Sequence, residues 1–425
     1  MSDAGAGRVR PRWLPPIVLA VVVAVAVGVL LVLRAQGGGD DGAGPRSSPS
    51  DSAASPLQRL IDAKCHSGGV VSLSGRYVID ETVRIEGCRN LTIEGNDALL
   101  ETDQPGPLDG GAKAAGAEGD QEDDREQEDG AEERNEDGEA EGKKEKRQES
   151  KRVHVLIAGS SDIVVRDVTI RGPNRSDDPK VGRPGVAVYD VRYAKEHGFS
   201  IQGSARVLLE DNRVEMVFGD GVNIGREPST DVTISGLTVE RNGRQGVHVA
   251  RVTNALIERV NVVNGRRGGV DFEPAGTKWM VEGVEVRDST FRTELLAFPA
   301  VGGKGQVRDV RIHDNTVLSA RSFLAVNGGH SGFEVYDNTG TDIGTFDGAM
   351  VVLGPNVENM VFRDNRLEPR TDDQPAFKLE SATGVRITGN DVTPVRELLE
   401  GQASSSLVCG NRVAGADEQP VPCPP

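Results

Sequence analysis

The sequence predicts an all-β solenoid, a fold built from stacked coils of short strands. One unit recurs along the chain, as in VLLEDNRV from Val207, VTISGLTV from Val232 and ALIERVNV from Ala255. These units begin about 25 and 23 residues apart, a period within the range of roughly 20–50 residues that marks repeat architectures. Each unit offers short runs of alternating apolar residues and no helix-length apolar stripe, so we expect one β-coil per unit.

The same unit covers most of the chain. Further copies begin at Leu91, Ile163, Val284, Val310, Phe333, Met360, Val385 and, weakly, Ser406. Asn fills the sixth position of seven copies: Asn96, Asn212, Asn315, Asn338, Asn365, Asn390 and Asn411. Because Asn tolerates the left-handed backbone of a tight turn and bonds to its neighbours, we interpret this column as a structural Asn ladder.

With these repeats the sequence resembles the right-handed parallel β-helix, or pectin-lyase-like, superfamily over most of residues 57–413. The resemblance implies a right-handed parallel β-helix of about ten or eleven coils, of the membrane-anchored bacterial type. Two short blocks, RQG from Arg244 and GGVDFEP from Gly268, also resemble a block of bacterial β-helix proteins. The paired-Asp block of polygalacturonases is matched only in part, by GDG from Gly219. The resemblance therefore implies a fold and leaves the activity open.

Composition excludes one class of partner and indicates a compartment. The 425 residues carry a net charge of −17, whereas a chain that binds nucleic acid would show a basic face. The chain has 4 Cys, an even number that permits a disulfide framework. We expect Cys65–Cys88 and Cys409–Cys423 to be disulfides at the two ends of the repeats, outside the cytoplasm. The alternative is a set of buried, unpaired thiols.

The N-terminal residues predict a membrane anchor. Residues 13–33 form an uncharged apolar run that is long enough to cross a membrane. Arginines precede this run and aspartates follow it, so we expect residues 1–12 to be a cytoplasmic tail and the bulk of the chain to lie outside a single-pass cell-membrane anchor. A cleaved signal peptide is the alternative. Residues 34–55, rich in Gly, Ser, Asp and Pro, predict a flexible linker.

Residues 56–425 predict one β-helix domain that begins with a capping helix. Ser55 suits an N-cap, and the Pro that follows suits the first helical position. Leu57, Leu60 and Ile61 would form the apolar face of this helix. A solenoid leaves its core open at each end, so we expect this face to cover the first coil.

Two insertions interrupt the predicted coils. Residues 103–152 are almost entirely polar and charged, and such a segment cannot bury enough apolar surface to order itself. We therefore expect a disordered, charged insert there. The second insertion, Gly172–His197, is shorter and carries aromatic side chains, and we expect it to overhang a face of the coil.

Polar residues gather on one face of the middle coils. In the short strands GVNI, GVHV and GVDF, alternate residues point into the coil, which leaves Asn223, His248 and Asp271 pointing outward. Their spacing predicts a column on successive coils, roughly 4.8 Å apart, which Glu273 joins. Later coils are expected to carry mainly apolar residues at the same position: Phe298, Ala325, Val351 and then Lys378.

This column and its flanking turns hold the candidate site residues. Paired carboxylates can act as general acid and base on a glycoside, His can act as a base near neutral pH, and Arg can neutralise a uronate. The candidate catalytic residues are His248, Asp271, Glu273 and Arg251. The candidate substrate-binding residues are Asn223, Arg226, Arg244, Gln245, Lys278 and Tyr189. The candidate calcium ligands, an all-oxygen set, are Asp220, Asp271 and Glu273.

Two classes of function fit this sequence. We expect an extracytoplasmic, membrane-anchored protein that binds a polysaccharide or cell-envelope glycan and cleaves or epimerises it, as a lyase, a glycoside hydrolase or an epimerase. The alternative is a non-catalytic scaffold or adhesion rod, on which the polar column merely solvates the sheet. A groove that brings His248, Asp271 and a basic residue around one sugar would favour the enzyme.

Overall fold

The chain winds as a right-handed parallel β-helix of about eleven coils in a computed structural model that describes residues 55–108, 148–174, 187–413 and Cys423. Each coil has three faces, which we call first, second and third in chain order. Strands of one face pair in parallel with those of the neighbouring coils, as Val232 does with Val207 and with Ala255. The repeated units predicted from the sequence are therefore vertical neighbours.

The three faces contain the following strands. The first face is built from Gly69–Ser72, Arg89–Glu101, Ser161–Arg171, Ala205–Glu210, Ser229–Ser235, Val252–Glu258, Met280–Arg287, Gln306–His313, Ser331–Tyr336, Val361–Arg363, Arg386–Thr388 and Leu407–Cys409. The second face contains the last residues of Arg89–Glu101 and Ser161–Arg171, with Arg76–Val78, Arg213–Glu215, Thr238–Glu240, Asn261–Gly265, Thr290–Thr293, Thr316–Ser319, Thr339–Ile343 and Arg366–Pro369. The third face is built from Val83–Glu86, Val155–Ala158, Phe199–Gln202, Val222–Ile224, Val247–Val249, Val270–Phe272, Leu296–Ala300, Ser322–Val326, Val351–Leu353, Pro375–Thr383 and Glu397–Ser404.

The core fills the space that the three faces enclose. Alternation along each strand sends Val207 and Leu209, or Val222 and Ile224, inward, where they are fully or almost fully buried. Later coils add an edge-to-face series of rings with centroids 4.9–6.1 Å apart: Phe291, Phe298, Phe323, Phe362 and Phe377. Such ring pairs add to the stability that burial alone provides.

The predicted Asn ladder forms at the corner between the first and second faces. Asn315 Nδ2 donates to Asn338 Oδ1 over 3.0 Å, and Asn338, Asn365 and Asn390 each donate in the same way to the next Asn along the chain. Asn212 is buried at the same corner four coils before Asn315, and its Oδ1 accepts from the Val168 backbone amide. Asn96, by contrast, is exposed and bonds to Ser72 Oγ, so it lies outside the ladder.

The left-handed backbone at this corner falls mainly on the residue before the Asn. Asp314, Asp337 and Asp364 have φ values of 54°, 53° and 56°. Asp tolerates this conformation, and the turn that it makes directs the following Asn side chain into the coil. The expectation that the ladder Asn itself supplies the left-handed residue is thus corrected, with Asn96 (φ 45°) as the exception.

A helix covers the first coil as predicted. Helix Pro56–Cys65 is capped by Ser55, whose Oγ accepts from the Gln58 backbone amide. The helix buries Leu57 and Ile61 in the main core. Leu60 remains exposed, because it lies beside the buried stripe and not within it. A disulfide joins Cys65 of this helix to Cys88, and a second joins Cys409 to Cys423, the two pairs expected from the sequence.

The structure describes only part of each insertion, because residues 109–147 of the insert predicted to be disordered and residues 175–186 of the second insertion lie outside the described residues. Residues 103–108 and 148–152, at the ends of the predicted charged insert, pair with each other through a bridge between Leu108 and Ser150, and both ends contact Glu196 of the second insertion. The 3₁₀ helix Val191–Tyr193 belongs to the second insertion. No helix among the described residues is long and apolar enough to cross a membrane. The predicted anchor at 13–33, its flanking tail and most of the linker lie outside the described residues.

Candidate functional site

The third face carries the predicted column of outward side chains. Asn223 pairs in register with His248, and His248 pairs with Asp271. The next coil shifts the expected alignment by one residue, since Gly268 pairs with Leu296 and so brings Pro299 level with Asp271. Phe298 and Val351 therefore point into the main core, and the column continues as Pro299, Ala325, Val352 and Lys378. His248 and Asp271 thus lie on adjacent middle coils, and three apolar residues separate them from Lys378 in the column, which is the predicted alternation of polar and apolar coils.

His248, Asp271 and Glu273 meet at the centre of this column. One nitrogen or oxygen of each lies within 4.8 Å of those of the other two, and His248 Nε2 is 3.8 Å from Glu273 Oε2. The Asn223 amide nitrogen is 2.7 Å from His248 Nδ1. With Asn223 as the donor, Nδ1 accepts and the ring proton lies on Nε2, which faces Glu273.

Gln245 ties this centre to a second buried group. Its Nε2 donates to Asp271 Oδ2 over 2.6 Å, and its backbone amide donates to Asp220 Oδ1 over 3.0 Å. Its Oε1 accepts from Arg244 Nε, which also lies 3.6 Å from Asp220. His197 Nδ1 is 3.0 Å from the other Asp220 oxygen. Asp220 is thus held by protein partners and is not among the three residues whose donor atoms converge.

Burial and neighbouring charges set the protonation states of these groups. Burial raises the pKa of Asp271 well above its usual range, and the Glu273 carboxylate raises it further. Burial lowers the pKa of His248 to about 4, although the Asp220 charge opposes this shift. Burial alone would raise the pKa of Asp220, but Arg244 and His197 outweigh burial and hold that pKa well below its usual range. These shifts favour the protonated form of Asp271 and the charged form of Asp220, and they leave His248 neutral at neutral pH.

The second insertion packs beside this site, as its sequence predicts. The Tyr193 ring lies 5.0 Å from that of Phe218, and the Arg267 guanidinium lies 5.2 Å from the Tyr189 ring centroid. The insertion approaches the coil closely, since a Cβ at Gly243 would lie 2.7 Å from the Val188 carbonyl oxygen. The insertion therefore forms one wall of the site and places Tyr189 beside it.

The structure gives three predicted residues other surroundings. Arg251 lies 5.4 Å from the Trp279 ring centroid and donates to the Arg226 carbonyl oxygen. Arg226 is exposed in the left-handed turn after the third face, and Lys278 is exposed in the next coil. These side chains belong to turns that follow the third-face strands, so no contact described here joins them to His248 or Asp271. Their catalytic and substrate-binding roles stay predictions.

Two residues beside the site, Arg267 and His197, were not among the candidate site residues predicted from the sequence. Arg267 occupies the same turn as Arg244 one coil later, and its charge contributes to the lowered pKa of His248. The repeat spacing from Arg244 to Arg267 could have indicated this position. His197 lies in an insertion outside the repeat, and its contact with Asp220 had no signal in the sequence pattern.

Comparison with known proteins supports the fold. The family described as right handed beta helix region matches residues 146–291. No curated protein sequence matches the chain. The solved structures compared below are only 10–14% identical to this chain in sequence, so their likeness shows the fold alone.

Three of these structures come from proteins with different described functions. The family 28 exopolygalacturonase of Yersinia enterocolitica has a TM-score of 0.52 at 12% identity, over 86% of this chain and 75% of that chain. The surface protein and adhesin PfbA of Streptococcus pneumoniae has 0.51 at 10%, over 84% and 92%. The A-module of the mannuronan C-5 epimerase AlgE4 of Azotobacter vinelandii has 0.50 at 14%, over 83% and 95%. Together with the three-faced coils, these matches show that the chain has the right-handed parallel β-helix fold.

Proposed function

We propose that this protein binds a polysaccharide on the third face and processes it chemically at His248, Asp271 and Glu273. The observation that carries the proposal is the buried polar column in the middle coils. A face that only met solvent would not need ionisable side chains that are almost wholly buried, and Asp271 is 3% exposed. Perturbed ionisable groups that converge beside a wall of aromatic residues are typical of active sites.

The two carboxyl groups suit acid–base chemistry on a glycoside. Burial and the Glu273 carboxylate favour the protonated form of Asp271, which can donate its proton to a glycosidic oxygen, while Glu273 is only partly buried and can approach the sugar carbon. Their oxygens lie within 4.8 Å of each other. This is nearer the separation of about 5–5.5 Å in retaining glycosidases than that of about 6.5–9.5 Å in inverting ones. If the reaction is hydrolysis, we propose retention at the anomeric carbon.

Basic and aromatic groups beside the centre favour an acidic sugar. Arg267 lies over the Tyr189 ring, only partly buried, and Arg244 lies one coil earlier in the same turn. A guanidinium pairs well with a carboxylate, and an aromatic ring offers a surface for a sugar ring. Cleavage or epimerisation of a uronate-containing glycan therefore fits the site better than processing of a neutral one.

A panel of uronate and neutral polysaccharides, incubated with the full-length chain, tests this proposal. We expect turnover of an acidic glycan, a loss of roughly 100-fold or more in kcat for Asp271→Asn and Glu273→Gln, and little change for Glu334→Gln. Glu334→Gln is the matched control because Glu334 is an exposed carboxylate on the first face, away from the site. Full turnover in Asp271→Asn would place the chemistry elsewhere.

The alternative is an adhesion rod, since the adhesin PfbA shares the fold. A rod would bind its partner without turnover, and its binding would survive Asp271→Asn.

We also propose that the domain lies outside the cytoplasm on a membrane anchor. The two disulfides support an oxidising compartment. Membrane fractionation and protease treatment of intact cells would test the anchor and its orientation.

A further inference from the structure

His248, Asp271 and Glu273 direct three donor atoms to one point on the third face. One donor atom of each residue lies within 4.8 Å of the other two. His248 Nε2 and Asp271 Oδ1 are both buried, and neither has a hydrogen-bond partner among the described residues. Buried polar atoms are nearly always satisfied, so a pair of unsatisfied atoms that face one point indicates a ligand at that point.

We propose that His248, Asp271 and Glu273 together bind one divalent transition-metal ion, with zinc as the ion that best fits the donor set. The proposal rests on the same site as the proposed function but needs no glycan. An imidazole with two carboxylates is a donor set that suits zinc, and three protein ligands leave a coordination position open to solvent. Calcium takes about six to eight oxygen ligands, so a site with a nitrogen donor is poorly matched to it.

The geometry needs only a small adjustment to close around an ion. Zinc bonds to nitrogen and oxygen are about 2.0–2.2 Å long, which places neighbouring donors roughly 3–4 Å apart. His248 Nε2 and Glu273 Oε2, at 3.8 Å, already meet this spacing. Glu273 is the least buried of the three and has room to rotate. Gly302 leaves that room, since a Cβ there would lie 2.6 Å from Glu273 Oε1.

Neighbouring amides hold two of the donors in place. Gln245 Nε2 donates to Asp271 Oδ2, which leaves Oδ1 directed at the shared point. Asn223 lies against His248 Nδ1, and half a turn of its amide would offer Oδ1 to an Nδ1 proton. A ligating histidine usually donates its other ring proton to such an oxygen. Both amides therefore act as positioning residues for the ion.

Titration of the metal-free, full-length protein with Zn²⁺, followed by calorimetry, tests the site. We expect one tight zinc site per chain and, with Co²⁺ as the probe, visible absorption typical of a nitrogen-containing site. Asp271→Asn and His248→Gln should weaken zinc binding by roughly 100-fold or more, and Gln245→Leu by about 10–100-fold. Ca²⁺ should bind this site far more weakly than Zn²⁺.

His313→Gln is the matched control. His313 also lies between two carboxylates, Glu285 and Asp314, but on the first face and with Nδ1 bonded to Asp314 Oδ2. Its substitution should leave zinc binding unchanged. All variants keep the acidic stretch within residues 103–152, so weak binding there affects each of them equally. If a buried-site variant fails to fold by circular dichroism, Glu273→Gln supplies the same test.

Zinc affinity that is unchanged in Glu273→Gln and Asp271→Asn, or the lack of any zinc site, would overturn the proposal. Zinc binding without turnover of any glycan would contradict only the proposed function. Turnover that needs Asp271 in a chain that takes up no zinc would contradict only the metal site. A bound ion occupies the oxygens that proton transfer needs, so where both proposals hold we expect zinc to inhibit turnover and a chelator to restore it.

Discussion

Gln245 is the single side chain that joins the two halves of the buried polar network. Its backbone amide meets Asp220, its Oε1 meets Arg244, and its Nε2 meets Asp271. A glutamine can make all three bonds because its amide has both a donor and an acceptor. The residue therefore engages Asp271 Oδ2 and leaves the buried Oδ1 without a hydrogen-bond partner among the described residues.

The buried side chain of His154 should make the free energy of unfolding depend on pH. Burial lowers its pKa from 6.5 to about 4, although the bond from Nδ1 to the His197 carbonyl oxygen opposes the shift. The unfolded chain thus takes up this proton at a higher pH than the folded chain. The stability that neutral His154 contributes is complete above pH 6.5, falls as the pH drops towards 4, and is absent below it, about 3 kcal/mol in all.

Urea unfolding across that pH range measures this effect. We expect the free energy of unfolding to fall less steeply between pH 6.5 and 4 in His154→Gln than in the wild type. His66→Gln is the control, since His66 is exposed after the first helix. His248 and His330 are buried with similarly lowered pKa values, so some slope should remain. Identical slopes in His154→Gln and the wild type would contradict the assignment.

At the scale of the element, the Asn ladder links neighbouring coils by side chains as well as by backbone. Asn338 donates to the Ile312 carbonyl oxygen and to Asn365 Oδ1, and its own Oδ1 accepts from Asn315. Asn315, Asn338, Asn365 and Asn390 therefore each bond to the coil before and to the coil after. The corner needs these bonds because its backbone groups turn away from the sheet pairing on either side.

Removal of one ladder side chain should lower the free energy of unfolding by more than the size of the side chain suggests. We expect Asn338→Ala to lower the free energy of unfolding by at least about 2 kcal/mol, because several buried partners are left unsatisfied. Asn261→Ala is the matched control, an exposed Asn on the second face, and should change stability by less than about 0.5 kcal/mol. Chemical denaturation measures both. Equal effects would show that the ladder does not stabilise the coils.

At the scale of the whole molecule, each coil contacts mainly the coils before and after it. Stability is then a sum of local terms, and the ends are the places where such a fold opens first. The helix Pro56–Cys65 and the disulfide Cys65–Cys88 protect the first end. The disulfide Cys409–Cys423 lies at the last described coil.

Loss of the first disulfide should therefore loosen one end and leave the middle intact. In Cys65→Ala/Cys88→Ala we expect faster amide exchange at Val71 and Leu91, a local loss of roughly 3 kcal/mol, and unchanged exchange at Leu324. Hydrogen exchange with peptide-level resolution checks this. Faster exchange at Leu324 to the same degree would mean that the coils unfold as one cooperative unit.

The sequence was sufficient for the fold and the column, and insufficient for the environment of the site. Repeat spacing alone aligns Asn223, His248 and Asp271, because coils of similar length stack in register. The sequence placed Phe298 level with Asp271, whereas the structure places Pro299 there. This shift of one residue was not predicted because the turn before Leu296 differs in length from the equivalent turns of earlier coils. The contact of His197 with Asp220 involves an insertion with no repeat, so periodicity held no information about it.

The donation from Asn315 through to Asn411 runs in one direction only. Each amide presents its nitrogen towards the C-terminal end of the rod and its oxygen towards the N-terminal end. The group dipoles therefore add along the axis instead of cancelling, and give the rod an electrical polarity that its net charge does not describe.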